Sequence, residues 1–204
     1  MKILHLYDEK HFPEAEVPLN RGIYEVIFNL SRQQMKRGHD VKVLIRRDEE
    51  CEMDINGITA IVIKSASIAS DPYVEVNKPF GFLRIAFDFS FMYGKVNKFL
   101  RKNEFDVIHV HFPLTSCFLV TLNRDLRNKM VYTAHVGEEA KRFNFDGKAP
   151  LVLKLFSPDL YLMKRVRKVV VLNENLRRRL VKEKGIKEEK RPDFTTACRK
   201  DGVC

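Results

Sequence analysis

Residues 1–45 read MKILHLYDEKHFPEAEVPLNRGIYEVIFNLSRQQMKRGHDVKVLI and predict one complete strand–helix–strand unit. The near-continuous apolar run over residues 2–7 is typical of a parallel strand covered on both faces. A loop is expected from Asp8 to Arg21, and Gly38 stands where a helix usually stops. Between them the apolar residues at helical spacing are Ile23, Val26, Ile27, Leu30 and Met35. Asp40–Ile45 predicts a second buried strand, and a crossover of this kind is right-handed.

The same alternation continues along the chain to residue 186. Asn56-Gly57 predicts a turn ahead of the next strand. Further strands are expected at 58–63, 105–111, 130–135 and 168–172, and further helices at 82–102, 114–126, 150–165 and 174–184. Repeated strand–helix units predict an α/β fold with a doubly wound, mostly parallel, Rossmann-like sheet. We expect a single domain over residues 1–186 and a disordered or non-native tail over 187–204.

Composition limits the class of protein. The chain has 204 residues, enough for one sizeable α/β domain and too few for two Rossmann-like halves. No apolar run reaches the roughly 18 residues of a membrane span, and no signal-peptide pattern is present, so a cytoplasmic protein is expected. Four widely spaced cysteines form no C-x-x-C, which favours free thiols. High Lys, Arg and Glu content without Trp is compatible with a thermophilic source.

The formal net charge of +10 indicates anionic partners. The densest basic clusters are Lys164–Lys168 and Arg177–Arg179, and each is either a solvated helix face or a surface for peripheral membrane contact. Single-stranded nucleic acid is usually held by aromatic side chains interleaved with basic ones, and none surrounds Arg177–Arg179. No nucleic-acid partner is therefore expected.

Ligands of an open parallel sheet bind beyond the carboxyl ends of its strands. The loop after the first strand closes in Arg21-Gly22, where backbone N–H groups at a helix N-terminus can meet a phosphate or a sugar hydroxyl. Gly22 either lets a ligand approach the backbone or forms an ordinary turn. The chain has neither G-x-G-x-x-G nor G-x-x-x-x-G-K-[ST], which argues against a dinucleotide fingerprint and against a P-loop.

Two strand ends carry histidines. His109 and His111 lie two residues apart on one strand and so share a face, as structural histidines, as site-lining residues or as a metal pair. A metal is not expected, because no Asp, Glu or third His is placed nearby in sequence so as to complete a site. His135 ends another strand ahead of Gly137 and Glu138. It is either a hydrogen-bonded loop histidine or part of a general acid/base pair.

Five segments in this order resemble the N-terminal domain of the family 4 glycosyltransferases, which have the GT-B fold. The segments are Met1–Leu4, Arg37–Val41, Phe105–His111, Val131–His135 and Lys168–Asn173. The resemblance implies transfer of a sugar from a nucleotide-sugar donor to an acceptor hydroxyl, with retention at the anomeric carbon and without a cofactor or bound metal. The expected acceptor is a sugar or a lipid-linked molecule, and the positive net charge gives a hint that it is anionic.

The resemblance also implies roles for particular residues. His135 corresponds to a strand-end histidine of the cleft and is the catalytic candidate, while the family's glycine-rich loop corresponds to the segment ending in Gly22. The family often has Gly-Gly where this chain has Arg21-Gly22, and Arg21 can itself offer a charge-assisted hydrogen bond. The expected substrate-binding residues are Arg21, Gly22, His111, Gly137 and Glu138.

The family's second domain, which binds the donor, has no counterpart in this sequence. We therefore expect the isolated chain to be inactive, as the product of a frameshift, an early stop or a split gene. The alternative is a non-catalytic, acceptor-binding subunit of a two-chain glycosyltransferase. A nucleotide-binding epimerase of related fold is a further hypothesis.

Overall fold

The computed structural model describes residues 1–8, 21–66, 78–135, 158–171 and 174–186. The strands in these segments are β1 (Lys2–Leu6), β2 (Asp40–Arg47), β3 (Cys51–Ile55), β4 (Ile58–Lys64), β5 (Val107–Val110), β6 (Met130–Ala134) and β7 (Lys168–Val171). The helices are α1 (Arg21–Lys36), α2 (Gly81–Lys102), α3 (Pro113–Leu122), α4 (Pro158–Met163) and α5 (Glu174–Lys184), with a 3₁₀ helix at Arg124–Asn128. None of these helices is long and apolar enough to cross a membrane.

The strands form one seven-stranded sheet in the order β3-β4-β2-β1-β5-β6-β7. Every neighbouring pair is parallel except β3 and β4. The first strand lies near the middle, and the chain winds outward from it in both directions. This topology confirms the predicted doubly wound, mostly parallel α/β fold.

One strand was absent from the sequence prediction. β3 pairs antiparallel with β4 as a hairpin. Asn56 and Gly57 form the turn with φ of 54° and 81°, which is the geometry that two-residue hairpin turns favour. The sequence of β3, CEMDI, alternates apolar and polar residues, with Met53 and Ile55 packed against the core and Glu52 and Asp54 exposed. This alternation ahead of the Asn-Gly turn is a hairpin signal that the sequence prediction missed.

Several predicted boundaries need correction. α1 begins at Arg21, so Gly22 belongs to the first helical turn and not to the preceding loop. The helix predicted at 114–126 ends at Leu122, and the chain continues as the 3₁₀ helix. The first part of the helix predicted at 150–165, and the tail over 187–204, lie outside the described residues. The domain boundary at residue 186 stays a prediction.

The helices cover the two faces of the sheet separately. α1 leads from β1 to β2 in one direction across the sheet, whereas α2, α3 and α4 lead across it in the other. Because such crossovers are right-handed, α1 lies on one face and the other three on the opposite face. Ile27 and Phe28 of α1 are fully buried on their side, and Met92 and Val96 of α2 on theirs.

A buried ion pair joins the sheet to α2. Arg46 of β2 donates a hydrogen bond to a carboxylate oxygen of Asp88, and both side chains are almost completely buried. The guanidinium carbon of Arg46 also lies 5.3 Å from the ring centroid of Phe89. Losing one member of such a pair leaves the other charge buried and uncompensated.

Candidate functional site

Three adjacent strands bring four histidines onto one face of the sheet. His5 of β1 is the register partner of His109 of β5, and β5 pairs in turn with β6. Side chains two residues apart on a strand share a face, so His111 lies on the same side. Thr133 of β6 and His135, which follows β6, complete the group. This is the face that α1 covers, because His5 reaches Gln34 near the end of that helix.

The side chains form a continuous hydrogen-bonded chain. His5 Nε2 lies 2.7 Å from Gln34 Oε1, and His5 Nδ1 lies 2.9 Å from His111 Nε2. His111 Nδ1 lies in turn 2.8 Å from His135 Nε2. We call Gln34, His5, His111 and His135 the histidine chain. His109 packs against it, with ring centroids 4.4 Å from His111 and 5.1 Å from His5, and its Nε2 lies 2.6 Å from Thr133 Oγ1.

Burial keeps these imidazoles uncharged at neutral pH. It lowers the pKa of His5 to about 4, against a smaller raising effect of the hydrogen bond to Gln34. Burial likewise lowers the pKa of His135 to about 4. For His109 and His111, burial and then the repulsion of the neighbouring imidazoles hold the pKa well below its usual value of 6.5. A protonated ring would lose its hydration, and protonation of a second ring would place two like charges side by side.

The hydrogen bonds of neutral rings define their tautomers. The carboxamide oxygen of Gln34 only accepts, so His5 Nε2–H donates to it and His5 Nδ1 becomes an acceptor. His111 Nε2–H then donates to His5 Nδ1, and His135 Nε2–H donates to His111 Nδ1. The second nitrogen of His135, Nδ1, is left with its lone pair. The chain therefore ends in a hydrogen-bond acceptor.

The histidine chain runs toward the carboxyl edge of the sheet. Gln34 lies near the end of α1, close to the amino edge, where Asp40 N–H donates to the carbonyl of Met1. His135 follows the last residue of β6 and is only partly buried, whereas His5 and His111 are fully buried. His135 is thus the member of the chain that a ligand at the carboxyl edge can reach.

Burial also limits the chemistry that His135 can perform. With its pKa lowered to about 4, the ring is a weaker base than the near-neutral histidine that suits general acid/base catalysis. An uncharged imidazole with a free lone pair can accept a hydrogen bond from a hydroxyl group and orient it. This arrangement suits the positioning of a hydroxyl, and the general acid/base role of His135 stays a prediction.

A metal remains a chemical alternative for three of the rings. His5, His109 and His111 offer ring nitrogens within 4.8 Å of one another. His5 could not be recognised from the sequence as the third histidine of this group, because it lies 104 residues before His109 in the chain. Neutral imidazoles suit zinc, but a cation here would have to replace the hydrogen bond between His5 Nδ1 and His111 Nε2. The expectation of a metal-free protein stays a prediction.

The structure describes only some of the other predicted site residues. Gly22 is exposed in the first turn of α1, and a Cβ added to it would meet nothing within 4 Å. Because α1 runs back toward the amino edge, this first turn lies on the carboxyl side of the sheet. Arg21 begins the same helix, and its side chain is outside the described part, as are Gly137 and Glu138. The structure thus brings His111 and His135 together and does not show the remaining predicted residues beside them.

Two members of the site were missed from the sequence. His5 interrupts an apolar strand, and Gln34 lies seven residues after Ile27 on the apolar side of α1. A polar residue on a buried face needs a hydrogen-bond partner, so both positions carried a signal. That His5 and Gln34 are partners follows only from the fold.

Comparisons with solved structures place this fold among the GT-B glycosyltransferases. Sucrose-phosphate synthase from Thermosynechococcus elongatus matches with a TM-score of 0.64 and 12% identity, over 88% of this chain and 44% of that chain. A second structure of that enzyme matches with a TM-score of 0.52 and 10% identity, over 98% of this chain and 91% of that chain. At these identities the likeness concerns the fold.

The family assignment comes from the sequence. The model of Glycosyltransferase Family 4 matches residues 21–191, and the chain belongs to this family. Among curated proteins, none matches this chain. The chain spans 44% of the length of the first sucrose-phosphate synthase chain. The family assignment therefore applies to the region that this chain contains.

Proposed function

We propose that this chain is the acceptor-side domain of a retaining glycosyltransferase, which transfers a sugar from a nucleotide-sugar donor to an acceptor hydroxyl. The observation that carries the proposal is the histidine chain, which ends at the carboxyl edge in His135 Nδ1. Membership of Glycosyltransferase Family 4 supports the class of reaction. The acceptor is proposed to be a sugar or a lipid-linked molecule, and the reaction to need neither a cofactor nor a bound metal.

Each residue has a proposed task. His135 accepts a hydrogen bond from a substrate hydroxyl, and His111 holds the ring of His135 in the required orientation and tautomer. Arg21 and Gly22 are proposed to meet the substrate from the start of α1, at the same side of the sheet. Gly137 and Glu138 are proposed to contact the substrate directly after His135.

The donor is proposed to bind to a second domain. Because this chain spans less than half of the sucrose-phosphate synthase chain, that domain would come either from a longer polypeptide or from a separate subunit. The isolated chain is then expected to be inactive. In the second arrangement it is the non-catalytic, acceptor-binding subunit of a two-chain enzyme, and a donor-domain protein should copurify with it. We propose that both arrangements act in the cytoplasm.

The test measures sugar transfer by mass spectrometry with a panel of nucleotide sugars. The chain alone is compared with the same chain carrying the domain encoded downstream, or with its copurified partner. We expect turnover only in the completed protein, and His135→Ala should lower kcat/KM by roughly 10- to 100-fold through loss of a hydrogen bond to the substrate.

His39→Ala is the matched control, because His39 lies after α1 and outside the histidine chain. It should leave kcat/KM within about twofold of the parent value. Robust transfer by the isolated chain would contradict the proposal that the donor binds to a second domain. Equal activity of the completed protein with and without the His135 side chain would contradict the role given to this residue.

A further inference from the structure

The outer face of α2 carries large apolar side chains that nothing in the described structure covers. Leu83, Phe87 and Phe91 recur every four residues, so they lie along one side of the helix. Their exposed fractions are 62%, 55% and 40%, and Phe80 beside them is 77% exposed. We call these four residues the apolar stripe. Contiguous exposed apolar residues of this kind mark a surface that binds something.

The same face turns basic in the second half of the helix. Lys98 follows Phe87 by eleven residues and Arg101 follows Leu83 by eighteen, which returns both cations to the side of the apolar stripe. Both are exposed. The single acidic residue within α2 is Asp88, which is buried and paired with Arg46. The exposed charge of this helix is therefore entirely positive.

Two acidic groups near α2 can be placed among the described residues. Glu50, in the connection between β2 and β3, accepts a hydrogen bond from Lys95 at 2.8 Å. Glu104 follows the end of the helix and is exposed. Lys95 follows Phe91 by four residues and its Nζ lies 5.3 Å from the Phe91 ring centroid, so Glu50 lies at the basic end of the apolar stripe. Glu50 is paired with Lys95 and also feels the charge of Lys98, yet the cations of α2 outnumber these two acidic groups. An apolar patch continued by an excess of positive charge is complementary to a surface that is apolar inside and anionic outside.

The apolar stripe begins at the edge of the sheet where the candidate site lies. α2 leaves β4 at the carboxyl edge and returns toward the amino edge, where β5 begins. Phe80 stands at the N-cap in the left-handed conformation, with φ of 58°, which a bulky residue rarely adopts. The backbone thus holds an aromatic ring outward at the carboxyl edge. Met92 and Val96 face the core instead.

We infer that α2 docks this domain onto an anionic lipid surface, with the apolar stripe entering the headgroup region and Lys98 and Arg101 contacting lipid phosphates. An interfacial helix combines Phe and Leu on one part with Lys and Arg on another in this way. A protein partner would need acidic residues against Lys98 and Arg101 and a matching apolar groove, whereas anionic lipid supplies both chemistries at once. The net charge of +10 favours the same partner.

The basic clusters that stood out in the sequence are poorer candidates for this contact. Arg165 lies over the ring of Tyr161 at 3.5 Å and donates to its carbonyl oxygen. Arg177 and Arg178 both bond to the carboxylate of Glu174. These cations are engaged within the protein, and no exposed apolar stripe accompanies them among the described residues.

The test is cosedimentation of the chain with vesicles of phosphatidylglycerol mixed with phosphatidylcholine, and with vesicles of phosphatidylcholine alone. We expect binding to the mixed vesicles that weakens as salt is raised, because screening shortens the reach of the cations. Leu83→Gln with Phe87→Gln should lower the partition coefficient about tenfold or more. Lys98→Gln with Arg101→Gln should lower it by about 30-fold.

Two control variants, one double and one single, separate a specific surface from general charge and apolarity. Lys36→Gln with Arg37→Gln removes the same charge from the end of α1, on the opposite face of the sheet. Leu122→Gln removes a residue that is 60% exposed at the end of α3. Both should leave vesicle binding within about twofold of the parent chain. Circular dichroism confirms that each variant is folded.

Three outcomes would overturn the inference. The folded parent chain fails to bind the mixed vesicles, or the control variants lose as much binding as the α2 variants do. The third is a dimer or a captured protein domain that depends on Leu83 and Phe87, without vesicle binding, which would identify a protein as the occupant. The assay contains no sugar nucleotide, so its result does not depend on the proposed transferase function.

Discussion

The pair formed by His109 and Thr133 provides a sharp test of how burial controls the histidines. We expect the chain to lose stability as the pH falls, and the double variant His109→Leu/Thr133→Val to lose less. Burial holds the folded pKa of His109 well below the usual value of 6.5. The unfolded chain therefore takes up this proton first as the pH falls. The contribution of His109 to stability is complete above about pH 6.5 and is lost below it.

The size of the effect follows from proton linkage. Between about pH 7 and pH 5 an unfolded imidazole becomes protonated while the folded one stays neutral, which costs about 2 kcal/mol of unfolding free energy for each such histidine. The variant should show a pH dependence that is smaller by this amount. Because both hydrogen-bonding partners are replaced together by apolar groups of similar size, no buried polar atom loses its partner. Its stability near pH 7 should change by roughly 1 kcal/mol or less.

The assay is urea denaturation followed by circular dichroism near pH 7 and about pH 5, on the parent chain, on the double variant and on a control variant. His39→Asn serves as the control, since His39 lies outside the buried cluster. It should reproduce the pH dependence of the parent chain. A parent chain that is equally stable at both pH values would refute the reasoning, and so would a double variant with undiminished pH dependence.

Further predictions concern the buried ion pair and two glycines. Asp88→Ala should lower the unfolding free energy by about 3–5 kcal/mol because Arg46 stays buried without its partner, and the double variant Arg46→Met/Asp88→Leu should recover most of this loss in urea denaturation. Gly38→Ala should cost about 1–2 kcal/mol because Gly38 has a φ of 78°. Gly22→Ala should instead add up to about 1 kcal/mol, since this helical site has open space for a methyl group; destabilisation there would contradict this account of α1.

The parallel core of the fold could be predicted from the sequence, because each buried strand is a continuous apolar run between helical patterns. β3 was missed, although its sequence CEMDI alternates apolar and polar residues, because this run of five residues directly follows the charged residues 46–50. The end of α3 was also missed. Leu126 continues the helical pattern beyond Leu122. It lies in a 3₁₀ helix, however, and packs against the core from there. Local periodicity does not distinguish these two helix types over a single turn.

The candidate site was predictable only in part. His111 and His135 could be placed at strand ends, because residues there face the ligand-binding edge of a parallel sheet. The connection between them, and the inclusion of His5 and Gln34, depends on strand order, which brings β1 beside β5 and β5 beside β6. The lowered pKa of each ring follows from burial in the folded domain, and no sequence pattern contains that information. The apolar stripe on α2 likewise could be recognised only from the exposed surface of its side chains in the folded domain.

The most direct test of the histidine chain is long-range proton–nitrogen NMR of the ¹⁵N-labelled imidazole rings near neutral pH. We predict uncharged rings at His5, His111 and His135, each with its hydrogen on Nε2. Addition of an acceptor sugar to the completed protein should shift the Nδ1 resonance of His135. A charged His135, or one whose hydrogen lies on Nδ1, would contradict a chain of hydrogen bonds that ends in an open acceptor.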